Sequence, residues 1–228
     1  MVERKIITAR EEESLDIEVG KDLIKMNDRL ATENLEILNK HGVIAVDVMG
    51  SVGAGKTALI ESMVDRLKGR RRVAMIAGDV TTTIDADRVA RHGVPSIQIN
   101  TGKECHLDAN MIRKAIAELD LKALDLIFIE NVGNLICPAD YALGCQRRLV
   151  VVSVTEGEWM IVKHPLIFKS ANVAAINKLD LATAMGLNVD KLAEDARTIN
   201  PRILVARTSA KNGQGIDELL AHLGLLPD

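Results

Sequence analysis

The chain has 228 residues, 47% hydrophobic and 27% charged, a globular balance that can bury a sizeable core and excludes a disordered or low-complexity class. A net charge of −3 with only 2% aromatic residues gives neither the basic surface nor the stacking platforms of a nucleic-acid binder. Three cysteines make no disulfide framework, no apolar run approaches membrane-spanning length, and "MVERKIITAREEESLDIEVG" has no signal core, so a cytoplasmic protein with reduced thiols and no membrane partner is expected.

In residues 1–40, Leu23, Met26, Leu30, Ile37 and Leu38 recur at roughly helical spacing, which predicts an N-terminal amphipathic helical arm. Residues 41–228 read as one α/β domain. "VIAVDVMG" (43–50) is a buried-strand run, and "ALIESMVDRLKG" (58–69) is an amphipathic helix closed by a glycine. "VAMIAGD" (73–79), "PSIQIN" (95–100), "LDLIFIEN" (124–131), "RLVVVSV" (148–154), "VAAIN" (173–177) and "RILVART" (202–208) read as further strands, with helices between most of them. Strands apolar on both faces and joined by helices predict a mostly parallel central sheet flanked by helices.

Between the first strand and the first helix of this domain stands "GSVGAGKT", which satisfies G-x-x-x-x-G-K-T in its required strand–loop–helix setting. The glycines let the backbone N–H groups of Gly50, Ser51, Val52, Gly53, Ala54 and Gly55 curl toward a phosphate, and the helix entered through Lys56, Thr57 and Ala58 adds its dipole. In this pattern the lysine reaches the β- and γ-phosphates and the threonine hydroxyl takes Mg²⁺. The fold expected is therefore that of a P-loop NTPase.

Asp79 and Glu130 end two strands, where carboxylates face the nucleotide crevice, either to hold Mg²⁺ or to orient the attacking water. With Lys56 they form the expected catalytic set. Asp85 and Asp87 follow in "AGDVTTTIDADR" and read either as further contributors near the γ-phosphate or as an acidic helix start. "ENVG" (130–133) stands where many GTPases have Asp-x-x-Gly, and Asn134, not glutamine, comes next. Hydrolysis is therefore expected to be slow unless a partner or self-association completes the site.

"NKLD" (Asn177–Asp180) follows an apolar strand. A carboxylate at Asp180 can accept from guanine N1–H and the exocyclic amine, neither of which adenine offers, while the Lys178 stem lies along the base. "TSAK" (208–211), with Ser209, Ala210 and Lys211, fits the loop that completes such a pocket. GTP, not ATP, is the expected nucleotide.

Cys105 and His106 are adjacent, and Cys137 lies on the loop after Glu130. If both loops leave the same sheet edge the three converge, and thiolate with imidazole suits Ni²⁺ or Zn²⁺ better than Mg²⁺. A lone Cys–His pair is otherwise ordinary packing, as Cys145 is read to be. Three ligands are an incomplete set that a two-fold partner could complete.

Taken together, "GSVGAGKT", "GDVTTTIDADR", "TGKECHLDA", "ENVGNLICP", "SVTEG" and "NKLDL" resemble the HypB family of nickel-hydrogenase maturation GTPases. The resemblance implies a SIMIBI-class G domain that hydrolyses GTP to GDP and forms a homodimer with GTP. It implies Cys105, His106 and Cys137 as Ni²⁺ or Zn²⁺ ligands at the dimer face. It also implies nickel delivery to a hydrogenase large-subunit precursor, with a HypA-type zinc metallochaperone as partner. The Cys-Pro-His motif of the urease-maturation GTPases, the runner-up reading, is absent. A nucleotide-independent metal-storage protein is the other alternative. The N-terminal cysteine motif and the His-rich tract of some family members are also absent, and "EGEWMIVKHPLIFKSA" departs from the charged loop expected there, leaving His164 without an assigned role.

Overall fold

The computed structural model describes residues 17–80 and 84–226, with side chains from Asp22 onward. Residues 1–16 of the expected arm and 81–83 of the acidic loop lie outside the described residues. Seven strands form one sheet, β1 (Ile44–Gly50), β2 (Val73–Asp79), β3 (Ser96–Asn100), β4 (Leu126–Glu130), β5 (Arg147–Ser153), β6 (Val173–Asn177) and β7 (Leu204–Arg207). Their order is β3-β2-β4-β1-β5-β6-β7 and every pairing is parallel. Each strand run read from the sequence is one of these strands. Apart from Ile44 and the half-buried Ile97 and Ile99 of edge strand β3, their valines, isoleucines and alanines are buried on both faces, because helices cover both.

The helices are α1 (Ile17–His41), α2 (Lys56–Leu67), α3 (Ile84–Ala90), α4 (Ala109–Ala117), α5 (Met160–Lys163), α6 (Pro165–Ser170), α7 (Val189–Ile199) and α8 (Ile216–His222). On one face of the sheet, Val46 and Val48 of β1 and Phe128 of β4 pack with Leu59, Ile60 and Met63 of α2 and Leu219 of α8. The opposite face is covered in two patches. Ala45 packs with Ile127 and Ile129, under Leu38 of α1 and Ile112 of α4. Met49 packs with Val150 and Val152, under Phe168 of α6 and Leu192 of α7. Between Ala45 and Met49, on the same strand, sits the buried carboxylate of Asp47.

Helix α1 packs only in part along the stripe its apolar spacing suggests, with Leu38 buried and Leu30 and Ile37 half-buried. Leu23 and Met26 are exposed, and the buried face carries Asn27, Ala31, Asn34 and Leu38. The asparagines are accommodated because they bond backbone. Asn27 accepts from the Ala109 amide at 2.8 Å and donates to the Ala142 carbonyl at 2.8 Å. Asn34 donates to the carbonyls of Ala109 (2.8 Å) and Leu143 (3.1 Å) and accepts from Arg113 Nε at 3.0 Å. A buried amide so satisfied costs little, and it ties α1 to the start of α4 and to the 142–144 turn. Gly144 is needed in that turn. Its φ is +90°, and a Cβ there would meet the Ala31 carbonyl oxygen. Among the described residues no helix is long and apolar enough to cross a membrane.

Candidate functional site

All the strand ends that carry candidate residues rise to the same edge of the sheet, since parallel pairing aligns their C-termini. Val48 of β1 pairs with Glu130 of β4, and Ser153 of β5 with Asn177 of β6. The crevice opens where β1 stands between β4 and β5, the point at which the chain changes winding direction.

The glycine loop leaves β1 and enters α2 through Gly55, whose φ of +96° needs no side chain. A Cβ on Gly55 would also lie 2.4 Å from Asn177 Nδ2. Asn177 Nδ2 donates to the Ala54 carbonyl at 3.0 Å, and Lys178 Nζ donates to the Gly53 carbonyl at 2.6 Å. The "GSVGAGKT" and "NKLD" segments are thus in direct contact. Lys56 is buried and its ammonium folds onto the carbonyls of Ser51 (3.1 Å) and Gly50 (3.3 Å). Burial lowers its pKa, and the Glu130 carboxylate 4.0 Å away opposes that.

The Thr57 hydroxyl lies 2.8 Å from Asp85 Oδ1 and 2.9 Å from Glu130 Oε1. Glu130 Oε2 is buried without a hydrogen-bond partner among the described residues. Burial pushes the Glu130 carboxyl up to about 7, against the pull of Lys56. A hydroxyl and two carboxylates, one of them with an unsatisfied oxygen, form a hard-oxygen set suited to Mg²⁺. Asp79 lines the same groove of about 400 Å³, together with Arg88 and Gly133. Asp87 is exposed in the first turn of α3 and does not line it.

A second groove of about 590 Å³ continues from the first past Gly55 and Ala58. It is bounded by Asn177, Lys178, Asp180, Ala210 and Lys211 on one wall and by Glu61, Asp65 and His92 on the other. Asp180 accepts from Ser209 Oγ at 2.6 Å, with Lys211 Nζ 4.0 Å from its other oxygen. The Ala210 amide donates to Asn177 Oδ1 at 3.2 Å, which locks the two loops together.

Cys105, His106 and Cys137 converge, with one potential ligand atom from each lying within 4.8 Å of the others. The two sulfurs are 2.8 Å apart, and Cys105 Sγ is 3.8 Å from His106 Nδ1. The His106 ring stacks on Tyr141 at 3.8 Å between centroids. Contact with the Cys137 sulfur raises the Cys105 thiol, and burial lowers His106, so an imidazole ready to ligate faces two thiols. Cys145 lies apart, partly buried against the core patch that includes Leu38 of α1, where burial pushes its thiol well up. His164 bonds the Met160 carbonyl at 2.9 Å, between α5 and α6, and takes no part in the cluster.

Three groups at or beneath this edge make contacts that the sequence alone does not assign, although Asn134 stands out there in place of a glutamine. Glu156 accepts from the Ser51 hydroxyl of the glycine loop and from the Ser153 amide (2.6 Å). Asn134 pairs its amide with the Gly50 carbonyl at 3.1 Å, and its side chain donates to the Cys105 carbonyl at 3.3 Å. The third is the Asp47–Asn131–Arg148 network. A charge inside the apolar run "VIAVDVMG" was the available signal for it.

The seven-stranded parallel sheet, with a glycine loop between its central strand and the following helix, defines a P-loop nucleotide-binding domain. Residues 44–207 match the CobW/HypB/UreG nucleotide-binding domain family. A protein of Methanocaldococcus jannaschii named "Probable hydrogenase maturation factor HypB" is 50% identical over 207 residues, covering 91% of this chain and 94% of that one. The crystal structure of the hydrogenase maturation factor HypB from Archaeoglobus fulgidus superposes with a TM-score of 0.82 at 44% identity, over 88% of this chain and 98% of that one. The crystal structure of HypB from Helicobacter pylori in complex with nickel gives 0.82 at 34% identity, over 87% and 93%. The chain belongs to the HypB family.

Proposed function

We propose that this protein is a GTP-hydrolysing metallochaperone that inserts nickel during hydrogenase maturation, with GTP driving homodimerisation and gating the Cys105–His106–Cys137 site. The domain reading is a helical arm over 1–40 and a G domain over 41–228. In this reading the Gly50–Ala58 loop cradles the phosphates and Lys56 neutralises the γ-phosphate. The segments Asn177–Asp180 and Ser209–Lys211 read guanine. Mg²⁺ would be held by the Thr57 hydroxyl with Glu130, Asp85 or Asp79 and would screen phosphate charge. The cargo is Ni²⁺, with Zn²⁺ as the competing ion for the same soft ligands. A HypA-type zinc metallochaperone would supply it, and the hydrogenase large-subunit precursor would receive it.

The observation that carries the reading is Asn134. Its backbone is bonded to the first residue of the phosphate loop and its side chain to the carbonyl of Cys105. A rearrangement of the loop around a γ-phosphate therefore reaches a metal ligand through two hydrogen bonds, and coupling between two sites needs such a shared element. The test is Ni²⁺ affinity in the GDP state and with a non-hydrolysable GTP analogue. The two affinities are expected to differ at least about fivefold in the natural chain, and Asn134→Ala should narrow the difference. Equal affinities in both states of the natural chain would leave a passive metal-storage protein.

A further inference from the structure

We propose that Asp47, acting through Asn131 and Arg148, is a positioning residue that sets the spacing of the two loops carrying Cys105–His106 and Cys137. The inference rests on the reading that this cluster holds metal.

Asp47 is fully buried in the middle of β1, between the apolar residues Val46 and Val48. A carboxylate there loses hydration and gives nothing to the hydrophobic core. Its two oxygens are used in opposite directions. Oδ1 accepts from Asn131 Nδ2 at 3.1 Å, and Oδ2 accepts from Arg148 Nε at 3.3 Å.

Each of these partners reaches one metal-candidate loop. Asn131 Oδ1 accepts from the amide of Leu107, the residue after His106, at 3.1 Å. Holding Asp47 with its amide Nδ2 leaves the Asn131 side-chain oxygen aimed at Leu107, so the carboxylate fixes which way the amide points. The Leu107 side chain is itself fully buried against Gly78, where even a methyl group would sit 2.7 Å from it. The Cys105–His106 segment is thereby anchored immediately behind the histidine. On the other side the Arg148 guanidinium donates to the carbonyls of Pro138 and Ala139, the two residues following Cys137. The Asp47 bond turns the guanidinium so that its outer nitrogens meet those carbonyls.

Besides these two arms, Asn134 ties the loops nearer the surface, donating to the Cys105 carbonyl at 3.3 Å and accepting from the Ile136 amide at 2.8 Å, and His106 stacks on Tyr141. Cys105 is exposed and Cys137 is half-buried, and neither lies in an α-helix or a strand of the sheet. Outer partners that orient metal ligands are typically worth ten- to a hundredfold in metal affinity. Asp47 does this at one remove, for both halves of the site at once.

The test is Co²⁺ titration of the full chain, followed by the thiolate-to-metal charge-transfer and d–d bands, with guanine-nucleotide affinity measured on the same samples. Asp47→Asn keeps the size of the side chain but can accept on only one oxygen, so one arm is released. It is expected to weaken Co²⁺ binding about ten- to a hundredfold and to shift the bands, with nucleotide affinity kept within about twofold. Arg148→Lys keeps the charge and loses the forked reach to Pro138 and Ala139. It is expected to change the bands in the same sense, and it serves if Asp47→Asn does not fold. If natural protein shows no charge-transfer band, the metal reading itself fails. If natural protein shows the bands and a folded variant keeps both affinity and spectrum, Asp47 is a structural residue and the inference is overturned, even if the variant melts at a lower temperature.

Discussion

Asp180 shows how much chemistry one carboxylate can carry at this edge. It is held by Ser209 at 2.6 Å and faces Lys211 at 4.0 Å, so it is positioned before any base arrives. In the proposed reading this carboxylate would accept two bonds from guanine, and bonds to a charged group are worth about 1.5–3 kcal/mol each. Asp180→Asn replaces one accepting oxygen with a donor that would confront the guanine donors. GTP affinity should then fall about a hundredfold, while xanthosine triphosphate, whose extra oxygen can accept from the new amide, should gain. Competition binding with the two nucleotides checks this, and an unchanged preference would remove the base-site assignment. The two segments that meet here, Asn177–Asp180 and Ser209–Lys211, could be paired from the sequence because each follows an apolar strand run in a recognisable spacing. Asp47 was legible only as an anomaly, since nothing in the sequence states that Arg148 and Asn131 lie beside it.

At the scale of elements, the strands could be read because burial on both faces leaves an almost uninterrupted apolar run. Helix α1 could not be read as well, for the opposite reason. A scan for apolar spacing selects Leu23 and Met26, which are exposed, and passes over Asn27 and Asn34, which are buried. Those amides are inside because they close backbone bonds of α4 and of the 142–144 turn, and such partners are invisible in a linear pattern. The convergence of Cys105, His106 and Cys137 was read on the condition that both loops leave one sheet edge, as they do, but the bonds of Asn134 and Asn131 that hold the loops there are as invisible in the linear pattern. The seam under α1 makes a stability prediction. Asn34→Ala strips partners from the Ala109 and Leu143 carbonyls and from Arg113, leaving buried polar groups unpaired. A loss of about 2–4 kcal/mol is expected, read as a lower urea midpoint with an unchanged slope. A change below about 0.5 kcal/mol would mean that α1 is held by Leu38 and Ala31 alone, with water replacing the amide.

For the whole molecule, the face that holds both the phosphate loop and the cluster also carries exposed apolar side chains. Val52, at the turn of that loop, is 83% exposed, and Ile136, next to Cys137, is 61% exposed. The Val52 side chain packs so closely on Gly133 that a Cβ there would meet it at 2.4 Å, so the phosphate loop and the cysteine-bearing loop share one surface. One chain offers three soft ligands at this surface, an incomplete tetrahedral set. A two-fold axis through it would bring a second set to the first and bury both apolar side chains, because a symmetric interface meets its own copy. A nucleotide can drive that assembly only by the difference in its fit to the two states. Native mass spectrometry with Ni²⁺ should therefore give dimers carrying metal with a non-hydrolysable GTP analogue and monomers with GDP. Ile136→Asp should return the analogue complex to monomer while leaving GDP affinity intact, because in this arrangement the side chain would face the partner, and it lines neither groove of the proposed nucleotide site. Equal subunit counts in both nucleotide states would separate assembly from the γ-phosphate, and the cluster would then have to function with the ligands of a single chain.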